Sequence, residues 1–265
     1  MSKSSADKSG TSKSTKDKAR QARLAAEAAH KRRERFIQIG GAGAVLIVVV
    51  LIIVFAVRAS GGSSGTNGPD PSAALPKGVD TTSYAFVVTQ NPGDKIPTVQ
   101  VWEDFQCPAC KNFEETISSA LYAVAAKGEI NLQLRPTTFL DKNLPQSKNT
   151  SARATSAWGC AIDAGKSVEY HTAVFVNQPP VEGTQVTDEQ LIEYGRQVGI
   201  SGAEFDSFKS CVEKSTYLGW SANSTSVFDQ EAIPGTPAVY VNGKELSMKG
   251  IRSPEELIAK IKSMA

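Results

Sequence analysis

The chain has 265 residues, of which 40% are hydrophobic, with four cysteines, two histidines and a formal net charge of +2. That small total conceals a split: residues 1–35 carry eleven Lys or Arg against four Asp or Glu, whereas residues 69–265 carry seventeen against twenty-three. Residues 80–265 are about the size of one domain and long enough for a sizeable core, which excludes a small scaffold that depends on disulfides to fold.

The N-terminal part of the chain indicates a membrane anchor. Residues 36–57 are almost wholly apolar, close to the ~20 residues that span a bilayer. Because the basic cluster at 31–35 precedes this segment and only Arg58 follows it, the positive-inside rule places the N-terminus in the cytoplasm and the rest outside. The apolar segment is longer than the ~7–15 residues of a cleaved signal peptide, so we predict an uncleaved, single-pass signal anchor in the cell membrane, with cleavage as the alternative.

Polar segments flank this anchor on both sides. Residues 1–22 lack the apolar side chains needed to fold, and residues 19–35 are rich in Ala, Arg, Lys and Glu. The basic tail 1–35 could therefore bind anionic membrane lipid, or serve only as an orientation signal. Nucleic-acid binding is a weaker third interpretation, and we predict no nucleic-acid partner. Residues 58–79, which begin with a Gly- and Ser-rich run, are predicted to be a flexible linker.

The outer domain, residues 80–265, alternates strand and helix patterns. The first half predicts strands at 84–89, 98–104 and 130–135, a turn at 91–94 and an amphipathic helix at 111–126. The second half predicts a block of helices, then a hairpin at Asn242-Gly243 and a last helix capped by Ser253. The helices of the block are expected at 151–164, 168–176, 188–198, 203–212 and 218–231. This order suggests a mixed central sheet covered by helices.

The most informative stretch is Cys107-Pro-Ala-Cys110, at the junction of the second strand and the next helix. Two cysteines separated by two residues can exchange electrons with the thiols of other proteins. Unpaired N–H groups and the positive dipole end of the helix favour a thiolate at Cys107, so we predict that its pKa lies below the ordinary value. The pattern predicts Cys107 as an exposed nucleophile and Cys110 as the resolving thiol one turn inward.

This motif has two simpler interpretations. A Cys-x-x-Cys pair is half of a tetrahedral zinc site, but the other two cysteines are distant in the sequence and the histidines are only His30 and His171, so we predict no metal. A merely structural disulfide is disfavoured because a bridge across so small a ring constrains the unfolded chain little. His171 is interpreted as a surface or packing residue, not as a catalytic base.

A second group of residues lies far along the chain, at Ile233-Pro-Gly-Thr236-Pro237, directly before the strand of the hairpin. A proline locked before a strand is often cis, and cis prolines are rare. In that arrangement the backbone of Thr236 and Pro237 would face the cysteine pair and present main-chain partners to an incoming peptide. An ordinary loop proline at the start of a strand is the alternative.

These features resemble the DsbA-like thiol–disulfide oxidoreductases of bacteria, and in particular the membrane-anchored actinobacterial members. The resemblance covers residues 80–264 and rests on WEDFQCPAC at 102–110, GTPAVYVNG at 235–243 and the helical block with its two cysteines. It implies an α/β thioredoxin fold, a mixed central sheet with flanking helices, with an inserted helical domain at about 148–230 and one preceding transmembrane helix.

The resemblance also implies roles for individual residues. Cys107 corresponds to the attacking thiolate and Cys110 to its buried partner. Pro237 corresponds to a cis-proline with Thr236 before it. The implied substrates are unfolded exported proteins with free thiols, and the implied membrane partner is a reoxidase of the DsbB type or a homologue of vitamin K epoxide reductase.

The two remaining cysteines also match the actinobacterial relatives. Cys160 and Cys211 correspond there to a structural disulfide that joins two helices of the inserted domain. An even cysteine count suits an oxidising, extracytoplasmic compartment. A second redox-active pair is the alternative, disfavoured because neither cysteine lies in a Cys-x-x-Cys junction.

The sequence departs from the family pattern in two places. Many thioredoxin-fold enzymes carry a buried acid six residues before the first cysteine, where this chain has Val101. Glu103 or Asp104 are the candidates to relay protons to Cys110 instead, although both could be solvated strand ends. The dipeptide between the cysteines is Pro-Ala, whereas the best-studied DsbA proteins have Pro-His.

We therefore expect a monomeric, membrane-anchored extracytoplasmic oxidoreductase that introduces disulfide bonds into exported proteins and needs no cofactor beyond its cysteines. The same motifs would serve a thiol–disulfide reductase or isomerase. Isomerases of this group usually dimerise through an extra domain, and no segment here is long enough to be one. A redox-inert thioredoxin-like binding module or chaperone is the alternative of a different class.

Overall fold

A computed structural model describes residues 68–89 and 95–265 of the protein. The predicted tail 1–35, the anchor 36–57, the start of the linker and the turn at 91–94 lie outside these residues. Within the described part of the chain, no helix is both long and apolar enough to cross a membrane. The described residues form one compact unit.

Five strands form one mixed sheet: β1 Phe86–Val87, β2 Thr98–Glu103, β3 Asn131–Pro136, β4 Ala238–Val241 and β5 Lys244–Leu246. Their spatial order is β1-β3-β2-β4-β5. Strands β2 and β3 run parallel, and the other neighbouring pairs are antiparallel. Strand β2, which leads into the cysteine motif, is therefore central, and its side chains Val99 and Val101 are fully buried.

The helices of the described chain are α1 Pro108–Phe113, α2 Ser119–Ala126, α3 Phe139–Asn143, α4 Thr150–Asp163, α5 Ser167–Val176, α6 Asp188–Gln197, α7 Gly202–Glu213, α8 Leu218–Gln230 and α9 Pro254–Met264. One π-helical turn, Glu114–Ser118, joins α1 to α2 without a break, and a short 3₁₀ turn, Pro145–Ser147, follows α3. Helix α9 packs against α2, and α8 packs against β3. The predicted mixed sheet with flanking helices is confirmed.

Helices α3 to α8 lie between β3 and β4 in the chain, where the sequence predicted a helical block. Helix α4 is the centre of this block, since it contacts α5, α6, α7 and α8. Its Trp158 and the Trp220 of α8 are fully buried, and their ring centroids lie 5.3 Å apart. Two large aromatic side chains in contact supply much of the apolar burial that holds such a block together.

Short-range sequence signals form the expected local structures. The Thr187 side chain accepts a hydrogen bond from the backbone N–H of Gln190, and the Gln190 side chain accepts one from the Thr187 N–H, so α6 begins with a full capping box. At the start of α9, the Ser253 side chain accepts from the backbone N–H of Glu256. Asn242 and Gly243 both have positive φ, 50° and 78°, as the two-residue hairpin between β4 and β5 requires.

The first strand is shorter than predicted. It spans only Phe86–Val87, because Tyr84 has a φ of 56° and cannot continue an extended chain. The cysteine motif opens its helix as expected, with Cys107 as the N-cap residue and Pro108, whose missing N–H costs nothing there, in the first helical turn.

Residues 70–79, which the sequence assigns to the linker, lie against the helical block. The Asp70 N–H donates to Asn223 Oδ1 at 2.7 Å, and Asn223 Nδ2 donates back to the Asp70 carbonyl at 2.8 Å. Pro76 packs so closely on Gly159 that a Cβ there would lie 2.8 Å from the proline ring. The folded unit therefore includes the end of the predicted linker.

Candidate active site

The end of β2 and the start of α1 position the cysteine pair. Cys107 is the N-cap residue of α1, with extended backbone (φ −75°, ψ 118°), and its carbonyl accepts the hydrogen bond of Lys111 N at 3.1 Å. The Cys107 N–H donates to the Asp104 carbonyl at 2.9 Å, which closes the turn after β2. Cys110 follows one helical turn later and is fully buried.

The segment before β4 meets the cysteine pair, as predicted from the sequence. The Thr236–Pro237 peptide bond is cis. The Cys107 thiol donates to the Thr236 carbonyl over 3.4 Å. The structure thus brings Cys107, Cys110, Thr236 and Pro237 together from opposite ends of the domain.

One expectation about Cys107 needs correction. The sequence predicted an exposed nucleophile, but the side chain is only 8% exposed. The reason is tertiary structure, because the Thr236 backbone lies against the sulfur. In addition, the Nε2 group of Gln178, which follows α5, donates hydrogen bonds to the carbonyls of Phe105 and Cys107 at 2.8 and 3.1 Å. Lys111 Nζ in turn donates to the Gln178 carbonyl. The helical block therefore helps to enclose the nucleophile.

The two thiols are free and differ strongly in acidity. A hydrogen bond from Cys110 is the largest cause that lowers the pKa of Cys107 to about 6. The Thr236 side chain and the backbone N–H groups of Cys110 and Ala109 act in the same direction, against the effect of burial. Burial, the hydrogen bond to Cys107 and the charge of Glu103 raise the pKa of Cys110 well above its ordinary value. Cys107 is thus a thiolate at neutral pH while Cys110 keeps its proton.

This asymmetry predicts how the reduced protein reacts with iodoacetamide. A thiol whose pKa is lowered is ionised above that pKa, so Cys107 should be alkylated at a half-maximal rate near pH 6 and at a nearly constant rate above about pH 7.5. An unstructured cysteine peptide, with a pKa of about 8.5, is the control. Mass spectrometry at each pH should find the label on Cys107; a midpoint for Cys107 near that of the peptide would contradict the account.

Of the two predicted proton-relay candidates, Asp104 is committed to structural hydrogen bonds. Its carboxylate accepts from Ser151 Oγ at 2.5 Å, from Gln106 N at 2.9 Å and from Leu140 N at 3.1 Å. Burial outweighs these hydrogen bonds and raises the pKa of Asp104 to about 7. Asp104 therefore ties the cysteine turn to α3 and α4.

Glu103 lies in a different environment, a buried cluster with Glu114 and His171. His171 Nε2 is 3.4 Å from Glu103 Oε2, and His171 Nδ1 is 3.6 Å from Glu114 Oε2. Tyr122 OH donates to Glu114 Oε2 at 3.4 Å. The charge of Glu103 contributes to the raised pKa of Cys110, so this carboxyl group is the candidate in electrostatic contact with the resolving thiol.

Sequence reasoning missed two members of this cluster. His171 was interpreted as a surface or packing residue; it is a packing residue, 2% exposed among aromatic rings, but its two ring nitrogens also face carboxylates, which the sequence did not indicate. Glu114 was not singled out. A signal existed: Glu114 shares a helical face with Ile117 and Leu121, and His171 one with Val174, so each is a charged group on an apolar stripe.

Glu103, Glu114 and His171 also form the group of described residues that could hold a metal ion. One potential ligand atom from each residue lies within 4.8 Å of those from the other two. The orientation of His171 does not fit a chelate. A metal ion uses one imidazole nitrogen, whereas here Nε2 faces Glu103, and Nδ1 faces Glu114 and, at 3.3 Å, the Tyr122 hydroxyl. The arrangement is that of an imidazole placed between two carboxyl groups.

Cys160 of α4 and Cys211 of α7 form a disulfide with a Cα–Cα distance of 5.8 Å. The bond joins two helices of the helical block. The structure thus separates the four cysteines into a free pair at the α1 N-terminus and a bonded pair within the block.

Comparisons with known proteins agree with this fold and site. The structure resembles MdbA, a thiol–disulfide oxidoreductase from Actinomyces oris, with a TM-score of 0.61 and 18% identity over 75% of this chain and 97% of that one. It also resembles the disulfide bond oxidoreductase DsbG from Mycobacterium tuberculosis, with a TM-score of 0.54 and 27% identity over 68% of this chain and 86% of that one. DsbA from the same organism gives a TM-score of 0.54 and 25% identity over 68% of this chain and 91% of that one. No curated protein sequence matches the chain.

Fold and site define a thioredoxin-fold protein with a Cys-x-x-Cys pair at the start of its first helix. The sequence profile described as thioredoxin matches residues 95–263. The chain belongs to the thioredoxin family. The resemblance to DsbA-like thiol–disulfide oxidoreductases, including the actinobacterial members, is confirmed.

Proposed function

We propose that this protein is a membrane-anchored, extracytoplasmic thiol–disulfide oxidoreductase of the DsbA type that introduces disulfide bonds into exported proteins. The observation that carries the proposal is the geometry of the cysteine pair: Cys107 is the N-cap residue of α1 with its sulfur 3.4 Å from the Thr236 carbonyl, and Cys110 is fully buried one turn further on. In this arrangement the pKa of Cys107 is lowered and that of Cys110 is raised. A stabilised thiolate favours the reduced form of the pair, and a pair whose reduced form is favoured is an oxidant.

The first chemical step is attack on the oxidised pair. A substrate thiolate forms a bond to the Cys107 sulfur, and the bond between Cys107 and Cys110 breaks. Cys110 leaves with the electron pair and takes up a proton, as its raised pKa requires. The product is a mixed disulfide between the substrate and Cys107, positioned beside the Thr236 backbone, which could pair with the substrate chain.

The second step releases the oxidised substrate. A second substrate thiolate attacks the substrate sulfur of the mixed disulfide, and Cys107 leaves as a thiolate. A thiol of low pKa is a good leaving group, so this step is favoured. Two electrons have then passed from two substrate thiols to the cysteine pair, which must be reoxidised before another cycle.

The proton that Cys110 receives comes from Glu103 in this proposal, and not from Asp104. Three hydrogen bonds hold the Asp104 carboxylate in the turn, whereas Glu103 meets no donor at good hydrogen-bond geometry among the described residues. A buried carboxyl group without fixed donors can gain and lose a proton with little rearrangement. Reoxidation returns the proton from Cys110 to Glu103.

The cellular setting of the proposal rests on the sequence. The basic tail 1–35 and the apolar segment 36–57 support a single-pass anchor with the catalytic domain outside the cytoplasm. The tail could also contact anionic lipid. The proposed partners are reduced exported proteins and a membrane reoxidase of the DsbB type or a homologue of vitamin K epoxide reductase, and the proposed working form is a monomer.

Transfer of a disulfide to an unfolded protein tests this function. The oxidised full-length protein is mixed with a reduced, unfolded polypeptide that carries two thiols, and both are analysed by mass spectrometry after acid quenching. We expect one substrate disulfide for each cysteine pair reduced. A reductase would instead leave the substrate thiols intact, and a redox-inert binding module would bind the polypeptide without any change in either partner.

A further inference from the structure

Resting on the proposed oxidoreductase function, we propose that His171 and Glu114 are positioning residues that set the protonation of Glu103, the carboxyl group that exchanges a proton with Cys110. His171 belongs to α5 of the helical block and Glu114 to the π-helical turn after α1. The helical block thus contributes His171, and the thioredoxin part of the fold contributes Glu103 and Glu114, to the group that controls the protonation of Cys110 in this proposal.

The geometry of the cluster supports a shared proton. His171 lies between two carboxyl groups, with Nε2 3.4 Å from Glu103 and Nδ1 3.6 Å from Glu114. Both oxygens of Glu103 and one oxygen of Glu114 meet no other donor at good geometry within the described chain. One imidazolium cannot neutralise two carboxylates, so the buried cluster is neutral when one carboxyl group keeps a proton.

An apolar enclosure keeps water away from this proton. Three aromatic rings surround the imidazole of His171, with centroid distances of 5.2 Å to Phe105, 4.8 Å to Trp158 and 5.1 Å to Phe175. Charges in such a site interact more strongly than at the surface, so each member of the cluster controls the ionisation of the others.

The charges act on Glu103 in opposite directions. Burial is the largest cause that raises the pKa of Glu103; the negative charge of Glu114 raises it further and His171 lowers it. Burial would lower the pKa of His171, but the two carboxyl groups outweigh it and the pKa is raised. A charged His171 thus allows Glu103 to ionise, while Glu114 opposes that ionisation.

Other titratable groups facing the cluster do not change this balance. Tyr122 of α2 contacts Glu114 and His171, and burial and the nearby acids raise the pKa of Tyr122 well above its ordinary value, so it stays neutral. Arg135 of β3 lines the same interior space, but its guanidinium donates to Glu231 at 3.0 Å. Within the cluster, Glu103 is the member whose charge contributes to the raised pKa of Cys110, and it is the group that exchanges a proton with that thiol in this proposal.

A chromogenic disulfide separates the two thiol steps. Reduced full-length protein is mixed with excess 5,5′-dithiobis(2-nitrobenzoate), and release of the coloured thiolate is followed in a stopped-flow instrument. The first phase, in which Cys107 attacks the reagent, depends on reagent concentration. The second phase does not, because Cys110 attacks the mixed disulfide within the same molecule after giving its proton to Glu103.

The expected results concern only the second phase. Glu103→Gln should slow it roughly 100-fold at pH 7, the lower range for loss of a positioned base. The pH midpoint of the second-phase rate should move upward in His171→Gln, because His171 lowers the pKa of Glu103. It should move downward in Glu114→Gln, because Glu114 raises that pKa. Glu115→Gln is the matched control, because Glu115 is next in the chain but exposed and 3.8 Å from Lys111 Nζ; its midpoint should equal that of the wild type.

Several results would overturn the inference. If His171 and Glu114 have a merely structural role, His171→Gln and Glu114→Gln should both lower the melting temperature. The pH midpoint of the second phase should then stay in place, or move in the same direction in both variants. An unchanged second phase in Glu103→Gln, or one metal ion per molecule in the purified protein, would be equally contrary. If wild-type protein shows no second phase, or Cys110→Ser retains one, the proposed function itself fails.

Discussion

Replacing Cys107 by serine is expected to abolish disulfide transfer to reduced polypeptides. Cys110 cannot substitute for it, because Cys110 is fully buried and its pKa is raised well above the ordinary value. Without Cys107 no sulfur lies beside Thr236 to accept the attack of a substrate thiolate. The measurement is the rate of substrate oxidation, and the expected loss is complete within detection.

The matched variant for this test is Cys110→Ser, which keeps the nucleophile and removes the resolving thiol. We expect its Cys107 thiolate to attack a disulfide-bonded substrate, which releases one substrate thiol and leaves a stable mixed disulfide between Cys107 and the substrate, visible by mass spectrometry without reductant. The contrast between the two variants assigns the roles of the cysteines. Residual transfer by Cys107→Ser above that of the Cys107→Ser, Cys110→Ser double variant would contradict this assignment.

The second large effect concerns stability. Replacing Cys160 and Cys211 together by alanine is expected to lower the free energy of unfolding by about 4 kcal/mol, because their bond closes a loop across 51 residues that constrains the unfolded chain. Denaturant unfolding of both proteins under non-reducing conditions measures the difference. Because this disulfide joins α4 to α7 and contributes no group to the cysteine site, disulfide transfer per folded molecule should be unchanged.

A comparable pair serves as the control for that experiment. The double variant Cys107→Ala, Cys110→Ala removes a possible bridge across only two intervening residues, so in the chain-entropy treatment it should lose far less stability than the Cys160, Cys211 double variant. Equal losses in both would contradict the structural role of the Cys160–Cys211 bond. Exchange of that bond with a substrate thiol would favour the alternative of a second redox pair.

Local signals in the sequence predicted much of the fold. The capping residues Thr187 and Ser253 and the turn at Asn242-Gly243 act within a few residues of the chain, so their structures follow from short-range hydrogen bonding and backbone preference. The cysteine motif was placed correctly at the strand-to-helix junction for the same reason. The segment before β4 was assigned to the same site from a Thr236-Pro237 pair that precedes a strand in a chain with a Cys-x-x-Cys motif, and not from short-range hydrogen bonding, since Thr236 lies 126 positions after Cys110.

The buried cluster shows where such reasoning stops. Glu103 and Glu114 approach His171 only because the helical block places α5 beside the start of α1, and no short-range pattern encodes that packing. The enclosure of Cys107 by Gln178 has the same origin. Both corrections concern contacts between the helical block and the thioredoxin part of the fold, which depend on tertiary structure.

The reduction potential of the Cys107–Cys110 pair tests the central claim most directly. The full-length protein is equilibrated in glutathione redox buffers, and the fraction oxidised is measured after acid quenching and alkylation. A potential near about −120 mV, that of a strong dithiol oxidant, is the result predicted for a protein that donates disulfides. A potential near about −270 mV, as in thioredoxin, would make the protein a reductase and contradict the proposed direction of electron flow.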